Sequence, residues 1–256
     1  MKRIFFEPVW YLVVFLLVQL LVTLPAVIFC GKNGMTPTWS VSVALVSNLL
    51  VIALFAWRRW TPYDGDYINT RPWFTLFWVA CLTVGCMIPV QYLSELLGIT
   101  MSEEYTKLFA GIMEHNLGFL AVGVVAPMAE EMVFRGAILR SLNSILGHRL
   151  RWVAIVVSAL LFALVHGNMA QGFGAFLMGL LLGWMYIRTG SIVPGVVFHW
   201  VNNSIAVMMY RALPQSADMT LVEFFNGNMK NVALAVVFSL MIFGAALYQL
   251  SWRLKK

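Results

Sequence analysis

The sequence predicts an all-α fold, a polytopic membrane helical bundle of about eight transmembrane helices, and three features predict it. Of the 256 residues, 61% are hydrophobic and only 11% are charged, a balance far from that of a soluble domain. The apolar residues gather in runs of spanning length, a bilayer core requiring roughly 20 residues per helical crossing. Those runs are continuous instead of alternating, which selects helices over a closed barrel, the other backbone that lipid permits.

In chain order, the expected spans are residues 9–29, 41–57, 73–97, 117–141, 152–166, 172–187, 192–209 and 232–252. The first is too long for a signal-peptide core and lacks a cleavage site after Cys30, so it is expected to stay in the mature protein. The second stops at Trp57, before Arg58 and Arg59, and the third starts directly after Pro72. Pro37, Pro62, Pro72 and Pro214 all lie in connections, where chain breakers belong. Ahead of the fourth span, Leu108, Phe109, Ile112 and Met113 recur at helical spacing, with Ser102 as a candidate cap and Glu103 and Glu104 beside it. A short amphipathic helix on the outer membrane surface is expected there, a plain connector being the alternative. In the sixth span Ala175, Gly179 and Gly183 form a stripe of small residues that lets another helix approach closely.

Basic residues set the expected topology. Lys2 and Arg3 precede the first span, Arg58, Arg59 and Arg71 follow the second, and Arg140, Arg149 and Arg151 follow the fourth. Arg188 follows the sixth, and Arg253, Lys255 and Lys256 end the sequence, so every second connection is basic and both termini are expected in the cytoplasm. The formal charge of +6 is thus a topology signal, and no nucleic-acid partner is expected. Trp10, Trp39, Trp57, Trp60, Trp73, Trp152 and Trp252 fall near span ends, as interfacial anchors do. Cys30, Cys81 and Cys86 have no metal-ligand spacing and read as small apolar residues. With no internal repeat or composition break, residues 1–256 are expected to form a single integral-membrane domain whose partner is the lipid bilayer.

The exception to this oily pattern is AEEMVFRG, residues 129–136. An ionised group at a helix centre costs on the order of 3 kcal/mol even on lenient insertion scales, so intramembrane acids pair, protonate or line a wet cavity. Glu131 and Arg135 stand four apart and can form an ion pair, while Glu130 is rotated about 100 degrees from Glu131 and is left to face something else. The fifth span ends in FALVH, where Phe162 and His166 share a face, and the seventh contains HWVNN, where His199 and Asn203 share another. These are the only histidines within expected spans; His115 and His148 fall in loops. Each polar residue alone could be a helix-to-helix hydrogen bonder, as Gln19, Asn48 and Gln91 are expected to be. Together they point to one shared cavity.

The three patterns, EExxxR in AEEMVFR, FxxxH in FALVH and HxxxN in HWVNN, resemble the motifs of the CPBP family, the CAAX protease and bacteriocin-processing (Abi) intramembrane endopeptidases. The likeness spans residues 127–204, with a catalytic core of about 117–210. It implies an enzyme that hydrolyses a peptide bond of a membrane-associated protein or peptide, in CAAX-type or leader-peptide processing. Glu130 would be the general base that takes a proton from water, and His166 would orient that water or share its proton. His199 and Asn203 would donate hydrogen bonds to the oxyanion, a contribution that reaches about 3 to 4 kcal/mol per donor. Glu131, Arg135 and Phe162 would support the site, and Asn202 beside Asn203 leaves the register of the last motif open. No cofactor is required by this route. A metalloprotease alternative uses Glu130, His166 and His199 to hold Zn, although no HExxH motif is present. Two further alternatives stay open: an inactive peptide-binding or bacteriocin-immunity protein, and a proton-coupled transporter using Glu130. The expected setting is a bacterial cytoplasmic membrane. Counting ~1.5 Å per residue from the span ends places Glu130 and His199 in its cytoplasmic half and His166 about 8 Å further out.

Overall fold

The computed structural model describes residues 2–31, 34–62, 65–216 and 219–254, and among them the secondary structure is helical with no strand. The helices are α1 (Lys2–Cys30), α2 (Pro37–Trp57), α3 (Gly65–Asn69), α4 (Trp73–Leu96) and α5 (Glu103–Glu114). The long composite helix α6 (Phe119–Leu146) follows. After it come α7 (Arg151–Leu164), α8 (Met169–Thr189), α9 (Val193–Ala212), the short α10 (Leu221–Phe224) and α11 (Met229–Arg253). Each of the eight expected spans coincides with a helix, and the chain is a multi-pass membrane protein. Five helices, α1, α2, α4, α8 and α11, are long and apolar enough to cross unaided, and α5 with α6 adds a sixth as a pair bent by 97°. The fifth expected span is shorter than a crossing: α7 has 14 residues, about 21 Å at 1.5 Å per residue.

Local chemistry fixes the helix ends. Thr36 accepts a hydrogen bond from the Trp39 N–H, with Pro37 opening α2. Asn168 does the same for α8 through the Gln171 N–H, and Gly190, at φ +72°, closes that helix. The expected amphipathic helix is α5, bent sharply away from α6 and burying Ile112. Ser102 sits at its N-cap with extended backbone but makes no side-chain capping bond. The other end is tied down from α9, where Arg211 donates to the carbonyls of Met113 and His115. Of the three expected polar links between helices, Gln19 donates to Asn48 at 3.3 Å, whereas Gln91 donates to Glu95 on its own helix at 2.7 Å.

Small residues set the close approaches. A Cβ on Gly179 would lie 2.9 Å from the Ala159 Cβ, and one on Gly183 would lie 2.9 Å from an Ile155 methyl, so the stripe on α8 packs against α7. The centre of the core is α6, in which all residues from Met132 to Leu139 are buried. Two stretches of this helix, Phe119–Val125 and Met132–Leu139, are wound as π-helix. The wider turn shifts the carbonyl ladder, and side chains from elsewhere take up some of its oxygens. Thr61 donates to the Met132 carbonyl at 2.6 Å and Ser158 to that of Phe134 at 2.9 Å.

Candidate active site

The two neighbouring carboxylates of α6 lead different lives. Glu131 is fully buried and forms the expected ion pair, its Oε1 lying 2.7 Å from Arg135 Nη1. The Arg135 guanidinium lies over the Phe162 ring, 4.4 Å from its centroid, so the cation is held between an anion and an aromatic face. Glu131 leans against α9 at Gly195, where any Cβ would collide with its Oε2. Only glycine leaves room there for a carboxylate between the helices.

Glu130 is turned from this pair and keeps 20% of its side chain exposed. Its Oε2 lies 3.6 Å from His199 Nε2, just beyond hydrogen-bond length. On the other side of the same ring, Nδ1 lies 3.5 Å from Glu131 Oε1. His199 is therefore a buried imidazole suspended between a buried, Arg-paired carboxylate and a partly exposed one.

His166 lies in the turn just beyond α7, where Gly167 has φ +70°. Its Nδ1 is 2.7 Å from the Phe162 carbonyl; a carbonyl can only accept, so Nδ1 carries the proton and Nε2 of the neutral ring is the acceptor. The Phe162 ring meets His166 edge-on at 4.9 Å and His199 at 5.7 Å, so both imidazoles flank one aromatic residue. No ion pair joins His166 to either carboxylate among the described residues.

Asn203, one turn after His199, donates through Nδ2 to the Val122 carbonyl at 2.9 Å and accepts from Asn202 at 3.1 Å. It thus ties α9 to the first π-wound stretch of α6. The structure brings Glu130, Glu131, Arg135, Phe162 and His199 into one cluster, sets His166 against its aromatic wall, and places Asn203 a turn away. Among the described residues no three His, Cys, Asp or Glu side chains converge so as to hold a metal ion. Thr61, Ser158 and Gly195, which shape the cluster, escaped the sequence reading. Of these only Gly195 left a signal, a glycine one turn before His199.

Residues 113–205, which contain every residue of this cluster, match the family model described as type II CAAX prenyl endopeptidase Rce1-like. The family resemblance holds. The CPBP-like chain is 27% identical to an uncharacterized 24.3 kDa protein of Escherichia coli over 172 residues, 62% of this chain and 75% of the relative. It is 25% identical to the membrane-embedded CAAX protease MroQ of Staphylococcus aureus over 148 residues, 57% of this chain and 60% of that one. A third relative, the putative membrane peptidase YdiL of Bacillus subtilis, is 22% identical over 222 residues, 78% of this chain and 88% of its own. No solved structure matches the chain.

Proposed function

We propose that the protein is an intramembrane endopeptidase that cleaves a peptide bond of a membrane-associated protein or peptide by glutamate-activated water. The observation that carries this reading is the division of labour within α6: Glu131 is neutralised by Arg135, while Glu130 stays partly exposed beside His199. The family likeness and the names of MroQ and YdiL support a protease.

In the proposed reaction a water bound between Glu130 and the substrate carbonyl gives its proton to the Glu130 carboxylate as its oxygen attacks the carbonyl carbon. His166, fixed by the Phe162 carbonyl, presents Nε2 as an acceptor that aligns the water. His199, whose Nε2 faces the Glu130 carboxylate, offers an N–H from that nitrogen to the tetrahedral oxyanion. Asn203 commits one amide hydrogen to the Val122 carbonyl and has a second for the same oxyanion. Collapse of the intermediate breaks the C–N bond, and the proton held on Glu130 passes to the departing amine. Residues 117–210 act as the catalytic core, with both termini and the site on the cytoplasmic side of a bacterial cytoplasmic membrane.

The test is a cleavage assay on a library of membrane-anchored peptides, prenylated and unprenylated, with purified protein in lipid, run with and without chelator. Cleavage that survives the chelator is expected. Loss with chelator and recovery with zinc would install the metal route, and binding without any cleavage would mark a peptide-binding relative.

A further inference from the structure

At the end of the bundle where α4 begins and α8 and α11 finish, three arginines from distant parts of the chain converge on a cavity of about 490 Å³. Arg71 comes from the connection before α4, Arg188 from the last turn of α8 and Arg253 from the last turn of α11, while Thr75 adds a hydroxyl; the hydroxyls of Thr70 and Thr189 donate to the carbonyls of Tyr67 and Met185. No carboxylate lines the cavity among the described residues.

The arginines differ in their engagements. Two helices present their carbonyl ends here, an electronegative setting, and Arg188 answers it by donating to the carbonyls of Ser251 and Leu254 at 2.9 and 3.0 Å. Arg253 is held over the Phe74 ring, its guanidinium carbon 4.3 Å from the centroid, a contact that leaves the N–H donors for a ligand. Arg71 is exposed and held at φ +52°, in the left-handed region, in the turn that leads into α4. No salt bridge engages Arg71 or Arg253 among the described residues.

The level of the cavity identifies its occupant. It sits where three membrane-crossing helices end, beside the exposed tryptophans Trp73 and Trp252, which is headgroup depth. Planar guanidinium groups at that depth, with the Thr75 hydroxyl beside them and no acid opposing them, suit a phosphodiester oxygen pair. We infer that this cavity is a binding site for the headgroup of an anionic phospholipid, with Arg71 and Arg253 as the phosphate ligands and Arg188 holding the cavity wall.

Purified full-length protein in neutral detergent, offered phosphatidylglycerol or phosphatidylcholine and weighed by native mass spectrometry, tests this. Phosphatidylglycerol is expected to be retained over phosphatidylcholine, and Arg71→Ala with Arg253→Ala to weaken that retention about tenfold, with the lipid-free melting temperature unchanged. Millimolar inorganic phosphate should leave the retained lipid in place. Equal retention of the two lipids, or undiminished retention by the double variant, overturns the assignment; displacement by inorganic phosphate overturns it in favour of a small-anion site. Should the double variant not fold, Arg71→Gln alone, at an exposed position outside the helices, gives the same reading.

Discussion

Glu131 is the buried acid of the cluster, held in an ion pair within its own helix. Its carboxylate is out of water, paired to Arg135 and close to His199 Nδ1, so removing either partner strands a buried charge. Arg135→Ala is expected to destabilise the protein by about 3 to 5 kcal/mol, read as a lowered denaturant midpoint. Gly195→Ala should cost about 1 to 3 kcal/mol from overpacking and should depress activity as well, because the added methyl displaces the Glu131 carboxylate. A Gly195→Ala variant with wild-type unfolding and activity would contradict that packing. The Glu131–Arg135 pair was legible because an acid and a base four residues apart meet on a helix. The need for glycine at 195 was not, since it depends on which helix lies opposite.

Among the elements, α6 departs most from expectation. A fourth span was foreseen, but not its two π-wound stretches; every residue from Met132 to Leu139 is buried, so no polar periodicity could betray the winding. The hydroxyl of Ser158 takes up the Phe134 carbonyl, and Ser158→Ala is expected to leave that oxygen unsatisfied at a cost of about 1 to 3 kcal/mol, measurable by denaturant unfolding. The short α10 offers a pH-dependent counterpart outside the membrane. There the backbone N–H and hydroxyl of Thr220 hold the Glu223 carboxyl below its ordinary value of 4.5. Its folded value is the lower one, so the cap is at full strength above the unfolded value and is lost as pH falls through the folded value. Amide exchange at Thr220 should accordingly accelerate on acidification below about pH 4.5, and an exchange rate insensitive to that change beyond the intrinsic chemistry would contradict the cap. The helical end at His166 was legible: the expected fifth span, residues 152–166, is already about as short as α7, Arg151–Leu164.

At the scale of the whole molecule, hydropathy located all eight long helices because lipid leaves so few alternatives for a backbone. Hydropathy did not tell which of them cross unaided. α9 carries His199, Asn202, Asn203 and Arg211 and so reads as too polar, though its polar face is the one turned to α6. The convergence of the site was legible as a set of unexplained polar residues on three helices, while its geometry had to await the bundle. The central claim is that Glu130, and not its buried neighbour, activates the attacking water. The most direct measurement is the cleavage rate of Glu130→Gln against wild type, in lipid, on a peptide that the wild type cuts. A loss of at least about a hundredfold with an unchanged unfolding midpoint is predicted; a folded Glu130→Gln variant that cleaves at the wild-type rate would contradict it.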